Sequence, residues 1–126
     1  MKREVIRPAG AGPNAILSPG IRVGDLLWTA GHTGRNPETG ITPDDVQGQT
    51  RQTLDNIKRV LDAAGTSFAN VIKVNIYLAD INDRPALNEV YVEYFPSDQP
   101  GRTCIGGATF GPGILVEIEC VAAIES

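Results

Sequence analysis

The residues with the most chemical reach lie near the C-terminal end. Arg102 and Cys104 are two apart, as are Glu117 and Glu119. Each pair sits in a stretch patterned as a strand, roughly Arg102 to Ala108 and Ile114 to Ala123, joined through Phe110-Gly111-Pro112-Gly113. Residues two apart on a strand share a face. With Ile105 packed inward, Arg102, Cys104 and Gly106 face the other way. Val116, Ile118, Cys120 and Ala122 form the apolar set of the last strand, which sends Glu117 and Glu119 to that same outward side. Pairing the two strands as a hairpin sets Cys104 opposite Glu117 and Arg102 opposite Glu119, because a one-residue slip would put the two polar sets on opposite faces. An arginine, a thiol and two carboxylates beside Tyr77, Val121 and Ala123 suit neither bulk water nor a dry core. A subunit interface containing pockets would accommodate them. The simpler account from spacing alone is a cross-strand ion pair between Arg102 and Glu119.

Other side chains carry weaker signals. His32 is the only histidine; it could be a base, but a lone histidine following a strand is more often structural. Cys104 as a nucleophile would need a neighbouring base, and no histidine partner is apparent, so reversible oxidation is its more plausible chemistry if it is exposed. Cys120 reads as core, and Trp28 and Tyr77 as packing residues. The two cysteines are too few for a disulfide scaffold and are not spaced as a metal knuckle. No metal site is expected.

The elements that position these residues follow from periodicity. Pro8 to Gly20, rich in Gly and Pro, reads as irregular chain across the surface. Leu26 to Thr29 is a short strand, and Asn36-Pro37-Glu38-Thr39-Gly40 a turn. A helix is predicted from near Pro43, with Asp44 and Asp45 in its first turn. Its apolar face is Val46, Thr50, Leu54, Ile57 and Leu61, and Gly65 stops it. From Ile72 to Leu78 the period becomes two, with Ile72, Val74, Ile76 and Leu78 on one side and Lys73, Asn75 and Tyr77 on the other. A second helix begins after Asn82-Asp83 with Pro85 in its first turn; Leu87, Val90, Tyr91, Tyr94 and Phe95 form its stripe, and Pro96 ends it. Each helix has one apolar stripe, so both can pack on one face of a single sheet, an α+β layer.

Composition narrows the function classes. A chain of 126 residues suits one domain, residues 1–126, with a modest core, and 41% apolar residues suit a folded protein. No apolar run approaches the ~20 residues of a membrane helix, so no membrane partner is expected. Met1 to Gly12 has basic residues but no apolar segment of a secretory signal, which makes the cytoplasm the expected compartment. The net charge of −4, with no basic run longer than Lys2-Arg3, argues against nucleic acid as a partner.

Several stretches together resemble one family. Pro100-Gly101-Arg102-Thr103-Cys104 looks like the Pro-Ala-Arg-Ser-Cys signature of the reactive-intermediate deaminase (Rid, YjgF-type) family, and Leu115-Val116-Glu117-Ile118-Glu119 like its Val-Glu-Ile-Glu signature. Asn88-Glu89-Val90-Tyr91-Val92-Glu93-Tyr94-Phe95 is similar to its second-helix motif. Gln52-Thr53-Leu54-Asp55-Asn56-Ile57 with Ala63-Ala64-Gly65 is similar to its first helix, and Thr29-Ala30-Gly31 followed by Asn36 to Gly40 to its early strand and turn. The resemblance runs in order along nearly the whole chain.

It implies a chorismate-mutase-like subunit in a homotrimer, with sheets lining a central barrel and clefts between subunits. It also implies cofactor-independent hydrolysis of small carboxylate-bearing enamines or imines, such as 2-aminoacrylate, to 2-keto acids and ammonia. On the matching positions Arg102 would clamp the substrate carboxylate. Glu117 would orient the attacking water or relay its proton. The backbone groups of Gly31 and Cys104 would touch the ligand. Leu17 stands where the family often has a ligand-covering tyrosine, Ala30 where it has serine, and Gly106 where it has an acidic residue. These departures enlarge the pocket and make it less polar; uracil-catabolic relatives also carry apolar variation there. Two further readings stand beside the deaminase: a non-catalytic trimer that binds small carboxylates through Arg102, and the ribonuclease or translation-inhibitor role attached to some relatives.

Overall fold

The run from Val46 to Ala64 forms helix α1, a computed structural model of the chain shows, and Asp45 rather than Pro43 precedes its first turn. The structure describes residues 2–12 and 16–125. Asp44 and Asp45 therefore lie before the first turn instead of in it, and the Asp45 side chain makes no capping hydrogen bond. Gly65 ends the helix in the left-handed region at φ 79°, where a side chain would be strained. The buried face contains the predicted Thr50, Leu54, Ile57 and Leu61, and also Gln49, Thr53 and Val60. Helix α2 spans Arg84–Tyr94, with Pro85 in its first turn as predicted. Leu87, Val90 and Tyr91 are buried on it, and Phe95 is buried just beyond its end.

Six strands form one sheet: β1 (Arg3–Ile6), β2 (Gly20–Val23), β3 (Leu26–Thr29), β4 (Val71–Leu78), β5 (Gly101–Ile105) and β6 (Val116–Ala123). β1 and β2 are additions to the sequence reading, which took Pro8 to Gly20 as irregular and named no strand before Leu26. Residues 13–15 of that stretch fall outside the described residues. The strand order is β1-β2-β3-β6-β4-β5. β1, β2 and β3 are antiparallel neighbours, the last two joined across Gly24 and Asp25, with Gly24 at φ 59°. Both helices pack on one face, where Leu54, Ile57, Leu61, Leu87, Tyr91 and Phe95 meet Leu27, Val74, Ile76, Leu78, Val116, Ile118 and Ala122 in one core. This is the α+β layer expected.

The register corrects the sequence reading in three places. β5 and β6 do not form a hairpin: β5 pairs in parallel with β4, and β6 pairs antiparallel with β4 on its other edge. The segment β4-α2-β5 is a crossover unit, which joins parallel neighbours through a helix. Cys104 therefore stands opposite Ile76 and Arg102 opposite Val74, while Glu117 stands opposite Tyr77 and Glu119 opposite Asn75. Second, the faces differ. Val74 and Ile76 point to the helices, so their partners Arg102 and Cys104 do too, and Ile105, 48% exposed, lies on the helix-free face. The inward assignment of Ile105 fails because an edge strand need not bury its apolar residue under the helices. Third, Ile72 is half exposed and Val71 buried, because the β4–β6 ladder shifts register between Val71 and Lys73. Glu117 and Glu119 do lie away from the helices, as the alternation of the last strand predicts.

Gln49 ties the helix layer to the start of β6. Fully buried, its Nε2 donates to the carbonyls of Pro43 (2.8 Å) and Gly113 (2.7 Å), and its Oε1 accepts from the Leu115 amide at 2.8 Å. Replacing Gln49 with leucine keeps the bulk but leaves those three backbone groups without partners. The expected loss of stability is about 2–5 kcal/mol in urea unfolding, and a change below about 1 kcal/mol would show that water can replace the amide.

Candidate functional site

Arg102 rises from the edge strand β5 toward α2. Its Nη1 donates to Asn88 Oδ1 at 2.7 Å, and its guanidinium carbon lies 4.8 Å from the centre of the Tyr91 ring. Asn88 and Tyr91 are one helical turn apart, so both reach the same spot from α2. The guanidinium is half buried, and both partners are neutral. Among the described residues the two ion pairs are Arg51–Glu93 and Lys58–Asp62, so no carboxylate of the described chain neutralises Arg102. The cross-strand pair with Glu119 does not form: Glu119 Oε1 instead accepts from the Tyr77 hydroxyl at 2.6 Å, which holds the Tyr77 phenol above its ordinary range. A groove of about 380 Å³ opens beside Arg102, lined by Asn88, Tyr91, Val92, Gln99 and Pro100.

Tyr91 is buried, and its hydroxyl is the one buried side-chain polar atom without a hydrogen bond among the described residues. Burial pushes its phenol up to about 12, so the ring stays neutral beside the arginine. A ring face within about 6 Å of a guanidinium attracts it through the ring quadrupole.

Glu117 belongs to a second cluster, on the helix-free face. A methyl built on Gly31 would stand 2.8 Å from the Glu117 carboxyl carbon, so glycine is what lets this carboxylate lie against the main chain. His32 and Ile118 exchange backbone hydrogen bonds at 2.8 and 2.9 Å, which extends β6 pairing past Gly31. The Ala30 amide donates to the Pro19 carbonyl at 2.9 Å. Leu17, two residues earlier, is 49% exposed. The His32 ring is a structural donor: Nε2 lies 3.3 Å from the Pro19 carbonyl, which can only accept. Burial lowers its pKa from the ordinary value of 6.5.

The predicted site residues thus fall into two groups. Gly31, Ala30 and Glu117 are together, with Leu17 on the adjoining segment. Arg102 is elsewhere, across β4 and on the other side of the sheet. Cys104 shares the Arg102 face, half buried against the core, and Cys120 is buried, its thiol pushed up to about 11 by burial. Gly106 packs so closely on Ile81 that a Cβ would stand 2.8 Å from its backbone nitrogen, so a side chain is excluded there by backbone and the pocket gains nothing from its absence. The sequence reading missed the holding roles of Asn88 and Tyr91. The signal available was a polar Asn88 bordering the buried stripe, three residues before Tyr91.

Among the described residues no group of three or more His, Cys, Asp or Glu side chains could hold a metal ion, and no helix is long and apolar enough to cross a membrane.

Known proteins are similar to this chain over nearly its whole length. The sequence model of the family described as endoribonuclease L-PSP matches residues 9–124. A RutC family protein of Pyrococcus horikoshii is 41% identical, over 99% of this chain and 100% of its own. The 2-iminobutanoate/2-iminopropanoate deaminase of Escherichia coli is 34% identical over 91% of this chain and 90% of its own. The crystal structure of E. coli TdcF with bound serine superposes with a TM-score of 0.85 at 32% identity, covering 97% of this chain and 99% of that one. The chain belongs to the Rid family, also described as the YjgF or endoribonuclease L-PSP family.

Proposed function

We propose that the protein hydrolyses small enamines or imines bearing a carboxylate, 2-aminoacrylate and its homologues, to 2-keto acids and ammonia, without a cofactor. One observation carries this reading. Arg102 presents a half-buried guanidinium held by a neutral oxygen and a ring, with no carboxylate of the described chain paired to it, at the wall of a groove. Such a cation is set to take its anion from a ligand, and a planar fork matches a carboxylate. A relative crystallised with serine and a relative named for imine deamination fit that ligand class.

The imine form of the substrate has an electrophilic carbon next to the carboxylate. Water adds there: its oxygen bonds to the carbon as the C=N π electrons move to nitrogen, and the proton it loses passes by way of a base to that nitrogen. In the resulting carbinolamine the base returns a proton to the amino group, the C–N bond breaks to release ammonia, and the hydroxyl oxygen loses its proton and closes to a carbonyl. Glu117, braced against Gly31, is the base we assign to the water. Within one chain Arg102 and Glu117 lie on different faces, so the complete site combines Arg102 of one copy with Glu117 of the next. A homotrimer with clefts between subunits is the assembly that supplies this. The helix-free face supports such docking: Trp28, half exposed, lies in a row with Val5, Ile21 and Val121 across four strands.

The two halves should separate in an assay that generates the imine with an amino-acid oxidase or dehydratase and traps it with semicarbazide. Arg102→Ala is expected to weaken binding of an unreactive 2-keto acid by about 2–4 kcal/mol, with Lys a partial rescue. Glu117→Gln should keep that binding and lower the hydrolysis rate about 10²-fold. Unchanged turnover in Arg102→Ala, or no effect of wild-type protein on the imine, would overturn the reading; binding without turnover would mark a carboxylate-binding module.

Asn88→Asp gives a sharper check, because it places a carboxylate of the same shape beside Arg102. It is expected to weaken 2-keto acid binding about tenfold or more while leaving the melting temperature unchanged or higher, since the arginine's charge is then taken internally. Calorimetric titration at pH 7 that found equal affinity would mean that the charge of Arg102 does not hold the ligand.

A further inference from the structure

A second cavity, of about 400 Å³, lies between the start of the chain and α1. One wall is the turn from Pro8 to Ala11. The Ala11 amide closes it by donating to the Pro8 carbonyl at 3.1 Å, and Gly10, at φ 81°, takes its third position. Arg59 of α1 reaches this turn and donates to the Ala9 carbonyl at 3.3 Å. Another wall is the chain after His32. Asn56 of α1 donates to the carbonyls of Thr33 and Arg35 at 2.9 and 2.8 Å, and Asn36 Oδ1 accepts from the Glu38 amide at 2.9 Å. α1 thus anchors both walls. His32 also lines the cavity; it pairs with Ile118, so its ring shares the helix side with that buried residue, and Glu117 points to the other side. No described residue is common to this cavity and the groove beside Arg102.

Pro8, Ala11, Pro19 and Pro37 make the lining largely apolar, and it carries two opposite charges, Glu38 and Arg59. Among the described residues these two form no ion pair, with each other or with any other group; Asp62, one turn along α1 from Arg59, is taken by Lys58 at 2.9 Å. Burial lowers the His32 pKa, so at neutral pH the imidazole adds no third charge. We propose that this cavity binds a free α-amino acid with an apolar side chain, its carboxylate on Arg59, its ammonium on Glu38 and its side chain against the prolines. An acid without the ammonium would leave Glu38 beside an anion, and an amine without the carboxylate would leave Arg59 beside a cation. A ligand carrying both charges uses both groups, and the apolar walls reward a side chain that can be buried. The volume falls within the range of small-molecule sites. An α-amino acid has no C=N bond, so it is bound and not consumed, and the site stands independently of the hydrolysis proposed above.

The test titrates the purified protein at pH 7 with three probes of one carbon skeleton: L-leucine, 4-methylpentanoate, which lacks the ammonium, and 3-methylbutylamine, which lacks the carboxylate. Leucine should bind with a Kd of about 1 mM or tighter, and each single-charge analogue about tenfold or more weakly than leucine. Amide shifts in the wild-type spectrum should move at Ala9, Gly10, Ala11 and Glu38. Arg59→Gln and Glu38→Gln should each weaken leucine about tenfold or more, whereas Arg102→Ala should change it less than about twofold. The wild-type titrations and shifts decide the matter even if a variant loosens the turn at Ala9. No leucine binding at about 10 mM overturns the proposal. Shifts that gather around Arg102 and vanish in Arg102→Ala overturn it as well, since the amino acid would then occupy the groove of the reaction. Equal affinity for leucine and 4-methylpentanoate overturns the role of Glu38 and with it the choice of an amino acid.

Discussion

Strand β4 pairs in parallel with β5 on one edge and antiparallel with β6 on the other, and the placement of every candidate functional group depends on that insertion. Its Val74, Ile76 and Leu78 are fully buried under the helices. A strand with one face so apolar is locked in register, because a slip of one residue would expose all three. The neighbours inherit the lock. Arg102 follows Val74 to the helix side, and Glu117 follows Tyr77 to the open side. The separation of cation from carboxylate is therefore a consequence of core packing. Glu119, on the open side with Glu117, does not reach the guanidinium either: it accepts from Tyr77, while Asn88 and Tyr91 hold Arg102 on the helix side.

Holding an arginine with neutral partners has a physical advantage at a binding site. A carboxylate partner would lower the energy of the ligand-free state and would have to be displaced by an incoming anion. An amide oxygen fixes the direction of one N–H and leaves the net charge intact. The Tyr91 ring supports the guanidinium plane, and the ring rather than the hydroxyl is what this requires; the hydroxyl has no hydrogen-bond partner among the described residues. The position is maintained at some cost in buried polarity, which is typical of a site rather than of a core.

Much of the fold could be read from periodicity. The alternation in β6, the turn at Gly65, the limits of α2 and the packing of two helices on one face follow from local pattern, because each is set by what a helix or strand must bury. What could not be read was the pairing of strands distant in sequence. Ile105 misled because an edge strand on the open face can carry an apolar residue outward, and the loop through Phe110 to Gly113 resembles a hairpin turn although β4 intervenes. Ile72 misled because a register shift does not show in residue types. Nothing in the residue type of Gln49 announces its burial, and only the carbonyls of Pro43 and Gly113 reveal why it is buried. At the site, Arg102, Glu117 and Gly31 were visible as residue types, whereas the holding role of Asn88 depends on a helix meeting an edge strand.

The separation of the two clusters bears on how the chain would work as an assembly. A site whose cation and base belong to one rigid sheet face would be complete in a monomer and would need no partner. Here Arg102 sits on the outermost strand at one end of the order, and β3, which leads into Gly31, lies three places away. Joining them by bending one sheet would break the ladders between. Bringing a second copy's Glu117 to Arg102 breaks nothing and would cover the apolar row of Val5, Ile21, Trp28 and Val121, of which Val5 and Trp28 are exposed, if that face docks. Apolar burial would then stabilise the contact, and the charged groups, already held by their own neighbours, would define the cleft. If copies dock in this way, catalysis and assembly would be coupled, since the surface that closes the cleft would also bring the proposed base to the bound acid.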